Sequence, residues 1–349
     1  MTNIKKIPFI FAILSFLTFF TSANSEIKVV TSIKPIHSLA SYLMEGVGRP
    51  SLIVDGYASP HGFAMKPSHA KMLQEADIIF WVGEGLENFL EKPLKTVAKN
   101  AEKIELIEIK ALNKLKFRER NIFDDHDHDE HGHDDHGKKE DDHDHDDHGK
   151  KEDDHDHDHD DHGKKDDDHD DHGHDDHDGH AHGEFDPHIW LDPVNAKVIL
   201  KEMAEHLIEN DEKNSAIYKK NLTKALKDID ALIKNTKSEL SKSVASIVFH
   251  DAYQYFEERF NVNILGAFTV NTDVMPGAEQ LAEVREIIEH EKVACVFSEP
   301  QFNPDIIKAV AKDMDIKTGV VDPLGATLNP GKDLYFKLIQ NMSTSFKNC

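Results

Sequence analysis

Short apolar runs alternate with amphipathic stretches along the first part of the chain. The runs have the Val- and Ile-rich composition of buried strands, and the stretches between them keep helical spacing. Strands that alternate with helices in this way predict βαβ units and a parallel sheet. The predicted strands cover residues 27–32, 51–55, 77–82 and 103–109, and the predicted helices cover residues 37–45 and 68–75.

The same alternation resumes near residue 246, after two helical stretches. Asp192 followed by Pro193 is typical of a helix start, and the helix is expected to reach residue 209. The next stretch, 214–241, contains no Pro or Gly and keeps helical spacing, so it predicts a helix about 40 Å long. The later strands are predicted at 246–249, 263–269, 293–298 and 317–321, with helices at 253–260, 278–290 and 305–313. We therefore expect an α/β fold of two Rossmann-like lobes with parallel sheets, joined by one long rigid helix.

The N-terminus reads as a secretory signal peptide. Lys5 and Lys6 precede an apolar run at 7–20, whose 14 residues are fewer than the roughly 20 that a membrane-spanning helix needs. Small residues then allow cleavage between Ser25 and Glu26. We expect a soluble periplasmic protein with four parts. These are the signal peptide at 1–25, an N-terminal lobe at 26–210, a linker helix at 211–242 and a C-terminal lobe at 243–349.

An insert of His and acidic residues interrupts the N-terminal lobe at 124–182. It holds 18 His, 28 Asp or Glu and 6 Lys, so it carries a charge of −22 out of the formal −25 of the chain. Because no side chain in it is both apolar and larger than Ala, the insert cannot bury a core and is expected to be disordered without metal. The rest of the chain is close to neutral and has no basic face, which excludes nucleic acid as a partner.

Seven histidines lie outside the insert, and three of them occupy positions typical of a binding site. His250 closes a predicted strand, His61 follows another in a loop, and His188 lies just before a helix. Asp322 closes the last predicted strand. Ligands of open α/β sheets bind beyond the carboxyl ends of the strands, and imidazoles with a carboxylate suit tetrahedral Zn²⁺. Of the others, His206 and His290 are expected to be solvated, and His37 and His69 are weak candidates.

Several motifs that contain these residues resemble those of the metal-binding subunits of zinc and manganese ABC importers, specifically the zinc type called ZnuA. The resemblance runs in family order over nearly all of the mature chain except the insert. The matching stretches are Ser59-Pro-His-Gly-Phe-Ala-Met-Lys-Pro-Ser68, Ala76-Asp-Ile-Ile-Phe-Trp-Val-Gly83, Asp186-Pro-His-Ile-Trp-Leu-Asp-Pro193, Phe249-His-Asp-Ala-Tyr253, Ser298-Glu-Pro-Gln-Phe302 and Asp322-Pro-Leu-Gly325.

This resemblance implies a periplasmic receptor that delivers Zn²⁺ to an inner-membrane ABC permease, acts as a monomer and catalyses no reaction. It implies a metal site between the lobes, with His61, His188 and His250 as ligands. Asp322 matches a ligand of manganese members. An acidic residue that completes the site in some zinc members is replaced here by Pro60, which leaves Asp322 or water as the fourth ligand.

The two cysteines and the metal type also follow the zinc pattern. An even cysteine count in an oxidising compartment favours a disulfide, and Cys295 and Cys349 match the positions that zinc members often join. Manganese members carry a glutamate at the position of His250, so imidazole there favours zinc.

The insert is interpreted as an auxiliary zinc collector or as solvated filler. The alternatives for the whole protein are a manganese receptor, a zinc buffer and, least favoured, a zinc hydrolase with Glu299 or Asp322 as its base.

Overall fold

The computed structural model describes residues 26–118, 184–240, 244–270, 272, 276–312, 314 and 316–349. The predicted signal peptide and the His-rich insert lie outside these residues. No helix in the described part of the chain is long and apolar enough to cross a membrane.

The N-terminal lobe is built on a parallel sheet of four strands, in the order β2-β1-β3-β4. The central strand β1 is buried at all five positions, including Thr31 and Ser32, which explains why it does not alternate between buried and exposed residues. The elements are β1 (Val29–Ile33), α1 (Lys34–Leu43), β2 (Ser51–Val54), α2 (Pro67–Glu75), β3 (Ile78–Trp81), α3 (Asn88–Thr96) and β4 (Glu102–Glu105).

Two helices connect this sheet to the second lobe. α4 (Pro193–Asn210) begins as the sequence predicts, because the Asp192 carboxylate accepts a hydrogen bond from the backbone N–H of Val194 and Pro193 occupies the first helical turn. α5 (Ser215–Glu239) has 25 residues and is the long helix between the lobes. The sequence therefore located both helices to within a few residues.

The C-terminal lobe repeats the design with a second parallel sheet of four strands, in the order β6-β5-β7-β8. A core of its own lies on one face of this sheet. The elements are β5 (Ser246–His250), α6 (Gln254–Phe260), β6 (Ile264–Thr269), α7 (Ala278–His290), β7 (Cys295–Ser298), α8 (Asp305–Ala311), β8 (Lys317–Val320) and α9 (Leu334–Lys347).

The C-terminal helix α9 ties the two lobes into one hydrophobic core. It packs against α1 and α5. Its fully buried Tyr335 donates a hydrogen bond to the carbonyl oxygen of Trp190, 2.8 Å away, and both side chains belong to a core cluster with members in both lobes. Cys349, two residues beyond the end of this helix, forms a disulfide with Cys295 on β7.

The expected α/β architecture with two parallel sheets and one long connecting helix is confirmed. The sequence missed α3 and α9, and it predicted one strand at 103–109 where β4 is followed by a 3₁₀ turn, Leu106–Glu108. A proline inside α3, Pro93, hides the helical pattern there. The predicted domain boundaries remain predictions.

Candidate metal centre

Three histidines from separate parts of the chain meet between the lobes. His250 is the last residue of β5, His188 directly precedes the 3₁₀ turn Ile189–Leu191, and His61 lies in the loop between β2 and α2. His188 is 3% exposed and His250 is 4% exposed, whereas His61 is partly buried. The first lobe thus contributes two imidazoles and the second lobe contributes one, and the loop histidine is the most accessible of the three.

The spacing of the three rings suits one metal ion. Ring nitrogens of His61, His188 and His250 all lie within 4.8 Å of one another, and this is the one such group found among the described residues. The Nε2 atoms of His188 and His250 are 3.4 Å apart. Two nitrogens that bind one tetrahedral Zn²⁺ are separated by roughly 3.3 Å, given Zn–N bonds of about 2.0–2.1 Å. The pair is therefore already spaced for zinc.

Carboxylates hold the opposite sides of the two buried rings. Asp186 Oδ1 accepts a hydrogen bond from His188 Nδ1 at 2.7 Å, and Glu299 Oε1 accepts one from His250 Nδ1 at 2.6 Å. Glu299 is itself fixed by the hydroxyl of Tyr253, which donates to the same oxygen at 2.8 Å. With the protons on Nδ1, the two Nε2 lone pairs face each other and are available to a metal.

The pKa values of the two rings shift in opposite directions because their surroundings differ. Burial, followed by the nearby His250, lowers the pKa of His188 well below its ordinary value. Burial also lowers the pKa of His250, but the charge and the hydrogen bond of Glu299 outweigh it and the net pKa is raised. His188 is therefore neutral at pH 7, as a zinc ligand must be.

A buried group of acidic residues surrounds the guanidinium of Arg118 beside the histidines. Arg118 contacts Glu257 at 2.7 Å and Asp251 at 3.5 Å. Burial raises the pKa of Asp186, Asp251 and Glu257 to about 7 each. The positive charge of Arg118 opposes these shifts and so favours the ionised form of each carboxyl group.

Asp322 lies next to this centre but is not part of the histidine group. Its Oδ1 accepts hydrogen bonds from Gln301 Nε2 at 3.1 Å and from the backbone N–H of Leu324 at 3.3 Å. Its Oδ2 accepts from the backbone N–H and the hydroxyl of Thr327, at 3.3 and 3.4 Å. Both carboxylate oxygens are therefore engaged by their own lobe.

Three of the four remaining histidines of the described chain have structural partners, and His290 is exposed, as expected. His37 Nε2 lies 3.1 Å from the carbonyl oxygen of Pro50, and His69 Nδ1 accepts a hydrogen bond from the backbone N–H of Lys66. His206, which the sequence suggested was simply solvated, contacts Glu102 at 2.8 Å.

Two side chains of the N-terminal lobe donate hydrogen bonds to the loop that contains Asp322. The indole N–H of Trp190 donates to the carbonyl oxygen of Pro323 at 2.8 Å. The buried ammonium of Lys34 donates to the carbonyl oxygens of Ala326 and Leu328, at 2.9 and 3.1 Å. The loop that contains Asp322 is thus fastened to the N-terminal lobe.

Sequence reasoning did not assign a ligand-orienting role to Asp186, Glu299 or Tyr253. A signal for Asp186 exists, because it precedes His188 by two residues and can reach both the backbone and the ring. Glu299 was considered only as the base of a hydrolase. Its contact with His250 spans 49 residues, so it required the tertiary structure.

Comparison with known proteins relates most of the chain to zinc-uptake proteins. The sequence profile described as "Zinc-uptake complex component A periplasmic", ZnuA, matches residues 29–349. The protein named high-affinity zinc uptake system protein ZnuA from Brucella abortus (strain 2308) is 43% identical over 329 residues, which cover 94% of this chain and 92% of that protein. The protein of the same name from Yersinia pestis is 35% identical over 324 residues, 92% of this chain and 90% of that protein.

Solved structures share the fold. A ZnuA deletion mutant with zinc bound superimposes with a TM-score of 0.67 at 20% identity, covering 92% of this chain and 97% of that chain. The periplasmic zinc binding protein TroA from Treponema pallidum gives a TM-score of 0.69 at 15% identity, covering 93% and 98%. At these identities the likeness concerns the two-lobe fold. The sequence relatives and the profile, which spans residues 29–349, show that the protein belongs to the ZnuA family of periplasmic zinc-uptake components.

Proposed function

We propose that this protein is the zinc receptor of an ABC importer, which captures Zn²⁺ in the periplasm and releases it to an inner-membrane permease. We propose His61, His188 and His250 as its protein ligands. The observation that carries the proposal is the 3.4 Å separation of two Nε2 atoms from different lobes, each with a carboxylate on its Nδ1. The relatives named zinc uptake proteins support zinc as the cargo.

A manganese receptor is the nearest alternative, and the ligand set disfavours it. Three imidazoles are borderline-soft donors that suit zinc, whereas manganese prefers carboxylate, carbonyl and water oxygens. A zinc hydrolase would need a free base beside the metal. Both oxygens of Asp322 are engaged. Glu299 uses Oε1 to hold the His250 ring at Nδ1 and to accept from Tyr253, so this carboxylate already orients a ligand, and only its buried Oε2 has no partner among the described residues. We therefore expect binding without turnover.

Calorimetric titration of the mature protein with zinc tests the proposal. The wild type is expected to bind one tight equivalent, and replacement of His61, His188 and His250 by Ala is expected to abolish it. The matched control replaces His206 and His290 by Ala, which removes imidazoles from the surfaces of α4 and α7 and is expected to leave the tight equivalent intact. Equal tight binding by the triple variant and the wild type would refute this site.

We further propose that the insert at 124–182 collects zinc for the folded site. It rejoins the described chain at Glu184, four residues before His188, so tethering would raise the local zinc concentration near the ligands. Its sites would be several and weak, because a segment whose composition cannot form a packed core must be ordered at each binding event. A zinc buffer would depend on the insert alone and would leave the inter-lobe histidines without a role.

Deletion of residues 124–182 distinguishes the collector from solvated filler. We expect the deletion to remove several weak zinc equivalents, to spare the tight one and to slow zinc uptake mainly when zinc is scarce. An unchanged zinc stoichiometry would support filler.

We propose that a signal peptide is cleaved near Ser25 and that the receptor works as a monomer. Mass spectrometry of the N-terminus of secreted protein and light scattering test these two points.

A further inference from the structure

Gln301 places an unpartnered acceptor at the cavity of the three histidines. It lines this cavity together with His61, His188 and His250. Its Oε1 is buried and accepts no hydrogen bond from any residue that the structure describes. A buried acceptor without a donor costs about 1–3 kcal/mol. A donor is therefore expected at this position when the site holds its ligand.

The orientation of this amide is set by Asp322. Gln301 Nε2 donates to Asp322 Oδ1 at 3.1 Å. Because an ionised carboxylate only accepts hydrogen bonds, the NH₂ group of Gln301 must face Asp322, and the oxygen must occupy the other amide position. Asp322 is in turn held by the backbone N–H groups of Leu324 and Thr327. The acceptor is thus preorganised by its own lobe.

The nearby carboxylates do not compete for the fourth position on the metal. Asp322 uses both oxygens within its loop, and Glu299 Oε1 contacts the Nδ1 side of His250, across the ring from Nε2. The second oxygen of Glu299, Oε2, is also buried without a partner in the part of the chain that the structure describes. Neither carboxylate joins the cluster of ring nitrogens among the described residues. A neutral amide oxygen is not among the donors that Zn²⁺ prefers, whereas zinc sites with three protein ligands commonly keep water in the fourth position.

We propose that Gln301 Oε1 accepts a hydrogen bond from the water molecule that completes the coordination of zinc at the three histidines. Asp322 then acts on the metal only through Gln301, as a positioning residue. This inference rests on the proposed function and deepens it. It also bears on specificity, because a site without a direct carboxylate ligand disfavours manganese.

A double-mutant cycle on the full mature chain tests this arrangement. The variants are Gln301→Met, Asp322→Asn and the combination of both, and the control is Gln340→Met on the exposed side of α9. Competitive titration gives the zinc affinity. Visible absorption with one equivalent of Co²⁺ reports the ligand field, and a purely structural change far from the metal would not shift it. The spectrum of the variant with all three ligand histidines replaced by Ala is subtracted, because it contains only the absorption of cobalt bound by the insert.

We expect Gln301→Met to weaken zinc binding about 3- to 30-fold, in line with the loss of one charge-assisted hydrogen bond, and to shift the cobalt bands. Asp322→Asn should have a smaller effect, and none in the Gln301→Met background, because coupled residues are non-additive. A large loss for Asp322→Asn that persists in the Gln301→Met background would make Asp322 a ligand and overturn the inference. An unchanged zinc affinity and an unchanged cobalt spectrum for Gln301→Met would also overturn the inference. Absence of the tight equivalent in the wild type would instead refute the proposed function.

Discussion

His188 Nε2 and His250 Nε2 face each other across the two lobes at 3.4 Å, although 62 residues separate them in sequence. The two nitrogens come from elements that belong to different sheets, so their spacing depends on how the lobes are fixed to each other. The orientation of each ring depends on the carboxylate that accepts a hydrogen bond from its Nδ1. These two supports, the carboxylates and the contacts between the lobes, lead to separate predictions.

Removal of either carboxylate is expected to weaken zinc binding without removing a ligand. Asp186→Asn and Glu299→Gln should each lower the zinc affinity about 10- to 100-fold, because partners that orient a metal-bound histidine typically contribute that much. Competition with a chelator of known affinity measures the effect. Asp333→Asn, an exposed change at the start of α9, is the control. Wild-type affinity in both test variants would contradict the orienting role.

The tie between the lobes is expected to depend on Lys34. Its ammonium is buried between the carbonyl oxygens of Ala326 and Leu328, and it also lies 3.4 Å from Asp55, at the start of the loop that contains His61. Lys34→Met should lower the free energy of unfolding by about 1–3 kcal/mol, because the carbonyl groups lose their donor. Denaturant unfolding monitored by circular dichroism measures this change.

The matched control is Lys332→Met, which removes an exposed pair with Glu45 between the same two lobes and should cost less than about 1 kcal/mol. Equal effects of the two lysine variants would show that burial of Lys34 has no special role.

The joint between the lobes is expected to be stiff, because α5 and the shared core span both lobes. Solution scattering of protein that lacks residues 124–182 should therefore show little change of the lobe envelope on zinc binding. A large zinc-dependent decrease in the radius of gyration of this variant would contradict a stiff joint.

The buried carboxyl group of Glu87 is expected to make stability depend on pH. Its Oε2 accepts hydrogen bonds from the backbone N–H groups of Val82 and Gly83, which lower its pKa, but full burial dominates and raises the pKa from 4.5 to about 7. The folded state therefore holds this proton more tightly than the unfolded state. The stabilisation from this proton is complete below pH 4.5 and is lost as the pH rises toward 7, by about 3 kcal/mol in total.

Glu87→Gln should remove that dependence, because the amide oxygen can still accept from both N–H groups but carries no charge. Relative to the wild type, the variant should gain stability between pH 5 and pH 8, measured by denaturant unfolding at each pH. The other raised carboxyl groups cancel in this difference, since both proteins contain them. A difference in stability that is constant with pH would contradict the assignment.

The sequence predicted the two-lobe fold because the information for it is local. Apolar runs, helix caps such as Asp192 and the absence of Pro and Gly from α5 all act within one element. Helix α9 was missed because no strand follows it, so the βα alternation gave no reason to expect it. Its role is tertiary, through the contact between Tyr335 and Trp190 and the disulfide at Cys349.

The candidate site was predictable only in part, for the same reason. His61, His188 and His250 lie at loop or strand ends that the sequence marks, and the resemblance to a known family singled them out. The partners that complete them do not follow from spacing. Glu299 reaches His250 across 49 residues, and Gln301 reaches Asp322 across 21 residues. Only packed sheets bring such pairs together, which is why the state of Asp322 stayed open at the level of the sequence.

The most direct test of the central claim is anomalous diffraction at the zinc edge from crystals of the mature protein loaded with one equivalent of zinc. We expect one dominant peak between the lobes, about 2.0–2.1 Å from Nε2 of His188, from Nε2 of His250 and from a ring nitrogen of His61. A dominant peak away from these three rings would contradict the assignment of the inter-lobe histidines as the zinc site.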